Sequence, residues 1–277
     1  MIVAEVRGGN VRALMCKRSF TVPASNINWI RPIIGGRVGS ASPSIPLSTR
    51  GFMSTTAHGG ASPELHLPFD LAELDASPVR TGRLVLRPIR AQDADDVDAY
   101  QRLPEVVAYL PWPLRDREAS HEHTALRARQ RTLAGDGDAV ALAIVLPGEP
   151  SLGGGGEGRV IGDLTFILTS AAHAQVGVGW VLHPDFQGRG YAREAATALL
   201  DLAAGLGAHR IAATVDAANE PSLALCERLG MRKEATFRHD RHDRTGWRDT
   251  VIYALTGAEW LGRRVSAADT TTSPGAH

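Results

Sequence analysis

HPDFQGRGYAREAATALLDLA, His183–Ala203, sets two glycines and an arginine between an apolar run and a long alanine-rich stretch. Its inner six residues, Gln187-Gly188-Arg189-Gly190-Tyr191-Ala192, stand where a strand is expected to end and a helix to begin. The first N–H groups of a helix have no partner within it, and the helix dipole adds about half a positive charge there. With side chains this small, such a turn can cradle a pyrophosphate. A glycine-rich turn before a helix can equally be only a turn, so the stretch needs support from its surroundings. Two nucleotide motifs fail: a dinucleotide fingerprint requires a small residue where Arg193 stands, and a P-loop requires Lys followed by Ser or Thr.

Working outward, TGRLVLRPIR (81–90) alternates as an edge strand does, and Ala91–Leu103 reads as a helix opened by acids. A second helix is expected over Arg117–Leu133, then strands over Ala139–Leu146 and Arg159–Leu168, joined by the glycine-rich and mobile PGEPSLGGGGEG. Strands at Gln175–Leu182, Arg210–Val215, Met231–Phe237 and Thr250–Leu255 are interleaved with helices at Tyr191–Leu206, which Gly207 caps, and Glu220–Leu229. A run of strands before a strand-helix-strand-helix-strand series implies an α/β (α+β) fold with a mixed sheet flanked by helices.

Composition narrows the class. The 277 residues carry 30 basic and 30 acidic side chains, so no overall charge favours nucleic acid or an anionic membrane. Two cysteines, Cys16 and Cys226, match no disulfide or metal spacing and suit a reducing compartment. The longest apolar run is far below the ~20 residues that span a bilayer. From Met1 to Pro63 only Glu5 is acidic, and Ser, Pro and Gly recur without an apolar period. Residues 1–78 are therefore expected to be a disordered extension, either transit-like or an over-long start with Met53 as the true one. Residues 79–262 are expected to form the folded domain and 263–277 a disordered tail. The expected compartment is cytoplasmic, or organellar if the extension is a transit peptide.

Four motifs in order resemble the GNAT N-acetyltransferases, and within them the ribosomal-protein N-terminal (RimJ/RimL-type) branch. Gln187, Gly190 and Ala192 match the family's Arg/Gln-x-x-Gly-x-Gly/Ala signature, and GWVLHPDF (179–186) is similar to its fourth strand and exit. NEPSLALCERLGM (219–231) looks like its second hallmark, while TGRLVLRPIR and GWRDTVIYAL look like the branch's opening and closing strands.

The resemblance implies a mixed, mostly antiparallel sheet whose strands 4 and 5 splay apart to hold acetyl-CoA, used as co-substrate without a metal. It also implies acetyl transfer to a primary amine, small or at a protein N-terminus, in a ternary complex. Val181 and Leu182 would pair with the pantetheine amides, Gln187 through Ala192 (with Gly188, Arg189, Gly190 and Tyr191 between) would take the pyrophosphate, and Asn219 would bond the pantetheine arm. Asn219 also suits the N-cap before Pro221. Many relatives carry Glu where Gly177 stands and Tyr where Cys226 stands. Those departures leave Ser222 and Cys226 as candidate acids, Asp163 or His183 as candidate bases, and a non-catalytic acyl-CoA-binding module as the alternative. Trp112, Trp247 and Asp249 would line the acceptor pocket, with Asp240 and Asp243 attracting a cationic amine. His121, His123, His239 and His242 lack zinc spacing. The expected partner is the amine acceptor, not nucleic acid or a membrane, with the chain a monomer or homodimer.

Overall fold

The computed structural model describes residues 64–154, 157–243 and 245–271, together with the backbone of three strands near the N-terminus. Those strands, β1 (Val3–Arg7), β2 (Asn10–Met15) and β3 (Arg18–Val22), form an antiparallel meander of their own within a unit that ends at Gly60. No strand is expected there from the sequence. The rest of the 1–63 stretch, with Cys16 and Met53, lies outside the described residues.

The second unit starts at Ala61, and its described structure begins earlier than position 79. Leu65, Phe69, Leu71 and Leu74 are buried in the main core, carried by β4 (Phe69–Asp70) and α1 (Ala72–Ala76). Their contacts are with elements far along the chain: His66 N–H donates to Leu206 O at 2.9 Å, and a Cβ on Gly207 would meet Glu64 O at 2.4 Å. The expected boundary at 78/79 is corrected accordingly. So is the expected tail at 263–277: Gly257–Thr271 is a helix, α7, with Trp260 buried and its indole N–H donating to Asp201 Oδ1 at 2.8 Å.

Between these ends run β5 (Val79–Arg80), β6 (Val85–Pro88), α2 (Ala94–Gln101), α3 (Pro104–Val107), α4 (Arg117–Arg129) and β7 (Thr132–Leu133). Then come β8 (Ala139–Leu146), β9 (Arg159–Ser170), β10 (Gln175–Leu182), α5 (Tyr191–Gly205), β11 (Arg210–Asp216), α6 (Glu220–Arg228), β12 (Arg232–Asp243) and β13 (Gly246–Thr256). The eight-stranded sheet has the order β12-β13-β11-β10-β9-β8-β6-β5, and every pairing in it is antiparallel except β10 with β11. The expected strands are present, but β12 and β13 run several residues longer toward their shared turn. The charged RHDRHD segment has no apolar alternation to reveal itself as strand.

Two faces of this sheet are covered differently. α5 lays Ala195, Ala196, Leu199, Leu200, Ala203 and Ala204 on one face; four alanines let it sit close, and each buried leucine contributes about 2 kcal/mol. α2 and α4 cover the opposite face, where Val97, Tyr100 and Ala128 meet Ala141, Ala143, Val145 and Val181. That second cover stops short of β11, so Thr214 is exposed although its strand lies inside the sheet.

Candidate functional site

The site opens where β10 and β11 part. They pair over three positions, Gln175–Gly177 with Arg210–Ala212, and β10 then continues to Leu182 beside β9 only. The gap exposes half of β10's main chain. His183 N–H donates to Ile161 O at 2.8 Å, and strand alternation therefore turns Val181 toward β9 and Val178, Trp180 and Leu182 toward the gap. Val181 is thus not one of the open positions, which corrects half of the expected pair. Leu182 is, and its carbonyl accepts from Gln187 Nε2 at 3.0 Å. This tie orients the residue that starts the cradle.

β10 leads through a short 3-10 turn, Pro184–Phe186, into the cradle. Gly188 (φ 73°) and Gly190 (φ 81°) are both left-handed, a conformation that costs other L-residues about 1–2 kcal/mol. Among the described residues no acceptor engages the N–H groups of Gly188, Arg189, Gly190, Tyr191 or Ala192. A Cβ on Gly188 would meet nothing within 4 Å. Open amides, open space and a helix N-terminus fit a diphosphate. Arg83, from the loop before β6, braces the turn: its guanidinium donates to Arg189 O at 2.9 Å, pairs with Glu194 at 2.7 Å and lies 4.4 Å from the Tyr191 ring centroid. Sequence reading missed Arg83 and Glu194, because their partnership spans 111 positions.

Residues 83–232 match the family model of the acetyltransferase (GNAT) domain. The chain belongs to the GNAT acetyltransferase family. An N-acetyltransferase named YnaD, uncharacterized, from Bacillus subtilis is 30% identical over 183 residues, 66% of this chain and 98% of its own. A GNAT-family acetyltransferase structure from Bacillus anthracis superposes with TM-score 0.55 at 25% identity, covering 65% of this chain and 99% of the other. RimL, a ribosomal L7/L12 alpha-N-protein acetyltransferase solved with coenzyme A, shares the fold: TM-score 0.52, 19% identity, 64% of this chain and 95% of the other. The parted β10 and β11 are the GNAT strands 4 and 5.

The candidate acids of this GNAT domain fare unequally. Cys226 is fully buried in the main core, and burial pushes its thiol up to about 12. With no exposed surface from which to meet a leaving sulfur in the gap, Cys226 packs in the core. Ser222 is half-buried on the first turn of α6, with its Oγ 3.3 Å from Trp180 Nε1. It therefore touches the strand that borders the gap. Asn219 caps α6, its Oδ1 accepting from Ser222 N–H at 3.2 Å; the same bond fixes where Ser222 stands.

Neither candidate base is free. His183 accepts from Asp185 N–H through Nδ1 at 3.1 Å, and burial lowers its pKa. Both oxygens of buried Asp163 are engaged, one by Arg127 and one by the Tyr100 hydroxyl, each at 2.5 Å. Gly177, where relatives carry Glu, lies at the last paired position, and a Cβ there would meet Thr169 at 3.4 Å.

The β12–β13 hairpin follows β11 in the sheet order, and two of its acids, Asp243 and Asp249, are engaged within it. Asp243 is held below the usual carboxylate range by the Thr245 hydroxyl and N–H, with Arg248 3.8 Å away. Asp249 accepts from His239 N–H at 2.8 Å. Buried Asp216, at the end of β11, ties Arg241 at 2.5 Å and Arg248 at 2.9 Å. Trp247 is 61% exposed at the hairpin end, against His242. Trp112 sits on the segment before α4, beside Arg115 and His123. Tyr109, on that segment, contacts the hairpin through Arg248, 5.7 Å from the ring centroid to the guanidinium.

Among the described residues no group of three His, Cys, Asp or Glu could hold a metal ion, and no helix is long and apolar enough to cross a membrane.

Proposed function

We propose that this chain transfers the acetyl group of acetyl-CoA to a primary amine by direct attack, both substrates being bound together. One observation carries the reading: a three-position pairing that opens into a gap, next to a run of amides at the head of α5 that none of the described residues engages. The residues fit the co-substrate. Gly188 through Ala192 would hold the diphosphate, and the Trp180 and Leu182 main chain would align the pantetheine amides. A β10 N–H facing the gap would stabilise the negative charge that develops on the acyl oxygen, a donor worth about 3 kcal/mol. Acetyl-CoA supplies the activated acyl group.

Ser222 is the proposed proton donor to the leaving sulfur, its orientation set by Asn219 and Trp180. With His183 and Asp163 engaged elsewhere, the amine attacks in its neutral form, having lost its proton to water on the open face beside Thr214. Protein N-termini suit this demand, since an α-amino group has a pKa near 7.7–8.0, and small amines meet it at higher pH.

Calorimetry with acetyl-CoA, followed by thiol release across amines and peptide N-termini, tests the proposal. Binding with turnover on at least one acceptor is expected. Binding without turnover on any would leave the non-catalytic acyl-CoA module as the better reading.

A further inference from the structure

Over β9, on the face opposite α5, lies a polar cluster that the transfer chemistry does not use. His123 and Arg127 are one turn apart on α4, so they share a face, and Arg127 points it at β9 by pairing with Asp163. Asp163 is the register partner of Val181, one residue from the positions that open to the gap. Arg115, just before α4, brings a second guanidinium, 5.4 Å over the Trp112 ring, and Trp112 stands 6.1 Å from the His123 ring.

Charge in this cluster does not balance. Asp163 is spent on Arg127 and Tyr100, which leaves Arg115 with no carboxylate in ion-pair reach among the described residues. Arg115 Nη1, Arg127 Nη1 and His123 Nδ1 are buried and have no hydrogen-bond partner among those residues. Arg127 itself is 8% exposed. A buried cationic donor left unbonded is costly. Burial first, and then Arg115 and Arg127, push the His123 pKa down to about 4, against the opposing pull of Asp163. Arg115's own pKa is lowered by burial and by Arg127.

We propose that Arg115, His123 and Arg127 bind an oxyanion, carboxylate or phosphate, carried by the acceptor close to its reactive amine. This specifies the acceptor of the acetyl-transfer reading and rests on it. An amino acid or an amine bearing a phosphate would place its negative group behind Val181 and its amine at the gap. Guanidinium groups suit both oxyanions because they donate in pairs.

The site is tested on the full chain by NMR, with and without CoA. Acetate, inorganic phosphate and chloride are titrated at matched ionic strength while the Arg115 and Arg127 Nε–H and His123 ring signals are followed. Saturable shifts with acetate or phosphate but not chloride are expected, with His123 rising by about 1 pKa unit. The tighter of the two anions identifies carboxylate or phosphate. In Arg115→Gln the shifts vanish, and in Arg115→Lys they persist more weakly; melting curves check that both variants fold.

A second arm compares kcat/KM, expressed per neutral amine, for the amino acids that are primary amines with their carboxamides, and for phosphoethanolamine with ethanolamine. The charged member should win by about 30-fold, equivalent to ~2 kcal/mol for a charge-assisted contact, and Arg115→Gln should bring the ratio close to one. Absence of any saturable shift with both anions overturns the proposal, as does a ratio that Arg115→Gln leaves unchanged. Failure of acetyl-CoA to bind in calorimetry would instead overturn the acetyl-transfer reading, and the CoA-free anion titration would still decide the site.

Discussion

Placing a carboxylate in the cradle isolates the electrostatic part of co-substrate binding. Gly188 is the position for it: φ is 73° and a Cβ there meets nothing within 4 Å, so the side chain enters open space rather than displacing protein. Gly190 is less clean, because its Cβ would lie 3.4 Å from the Arg83 guanidinium. Asp and Asn tolerate the left-handed region better than other side chains, and they have the same shape. Gly188→Asn therefore measures strain and bulk, and Gly188→Asp adds charge alone.

A carboxylate about 5 Å from a diphosphate of about two charges, at an effective dielectric near 40, is repelled by ~3 kcal/mol. Screening at physiological salt reduces this to about 2 kcal/mol. Gly188→Asp should thus bind acetyl-CoA about 30-fold more weakly than Gly188→Asn in calorimetry at low to moderate salt. At about 1 M salt, where the screening length falls to ~3 Å, the two should converge. Equal affinities of Asp and Asn at low salt would refute a diphosphate at this turn.

Other expectations follow from the packing. Cys226→Ala should keep turnover within about threefold and destabilise the fold by ~1–2 kcal/mol in urea; a loss of 100-fold would restore the thiol as an acid. In the same urea experiment, stability should decline between pH 9 and 12, where the unfolded chain releases a thiol proton that the buried Cys226 retains. Ser222→Ala should lower kcat by about 10²-fold with little effect on acetyl-CoA affinity, whereas Asn219→Ala should also lose ~1 kcal/mol of cap stability. His123, depressed to about 4 when folded, stays neutral where the unfolded chain is protonated, so stability should fall as pH drops from about 6.5 to 4. Its partial exposure limits this to about 1–2 kcal/mol, and His123→Gln should flatten the decline. Truncation after residue 60 should leave the second unit's melting temperature unchanged. Truncation after residue 78 removes four buried core side chains and should abolish soluble expression.

Much of the fold was legible because its signals are local. Alternation in Leu84 and Leu86, the apolar 139–146 run and the alanine face of α5 all follow from the periods of strand and helix. The glycines at 188 and 190 were legible as a cradle because their effect is on the backbone itself. The N-terminal limit was misread: Leu65, Phe69, Leu71 and Leu74 are too few and too unevenly spaced to signal an element, and this segment is held by residues far along the chain, Leu133, Phe166 and Leu206 among them. The 238–243 extension of β12 was misread because charged strands carry no apolar period.

By itself, then, the sequence determined the order of elements, the bare turn at the head of α5 and the family to which they belong, since each depends on neighbours within a few residues. Tertiary structure alone decided which chemistry those residues can perform. It sank Cys226 into the core, occupied Asp163 with Arg127 and Tyr100, turned Val181 toward β9, and braced the cradle with Arg83. Burial and partnership set the reactivity of a side chain, and both arise from residues tens to more than a hundred positions away that only folding brings into contact.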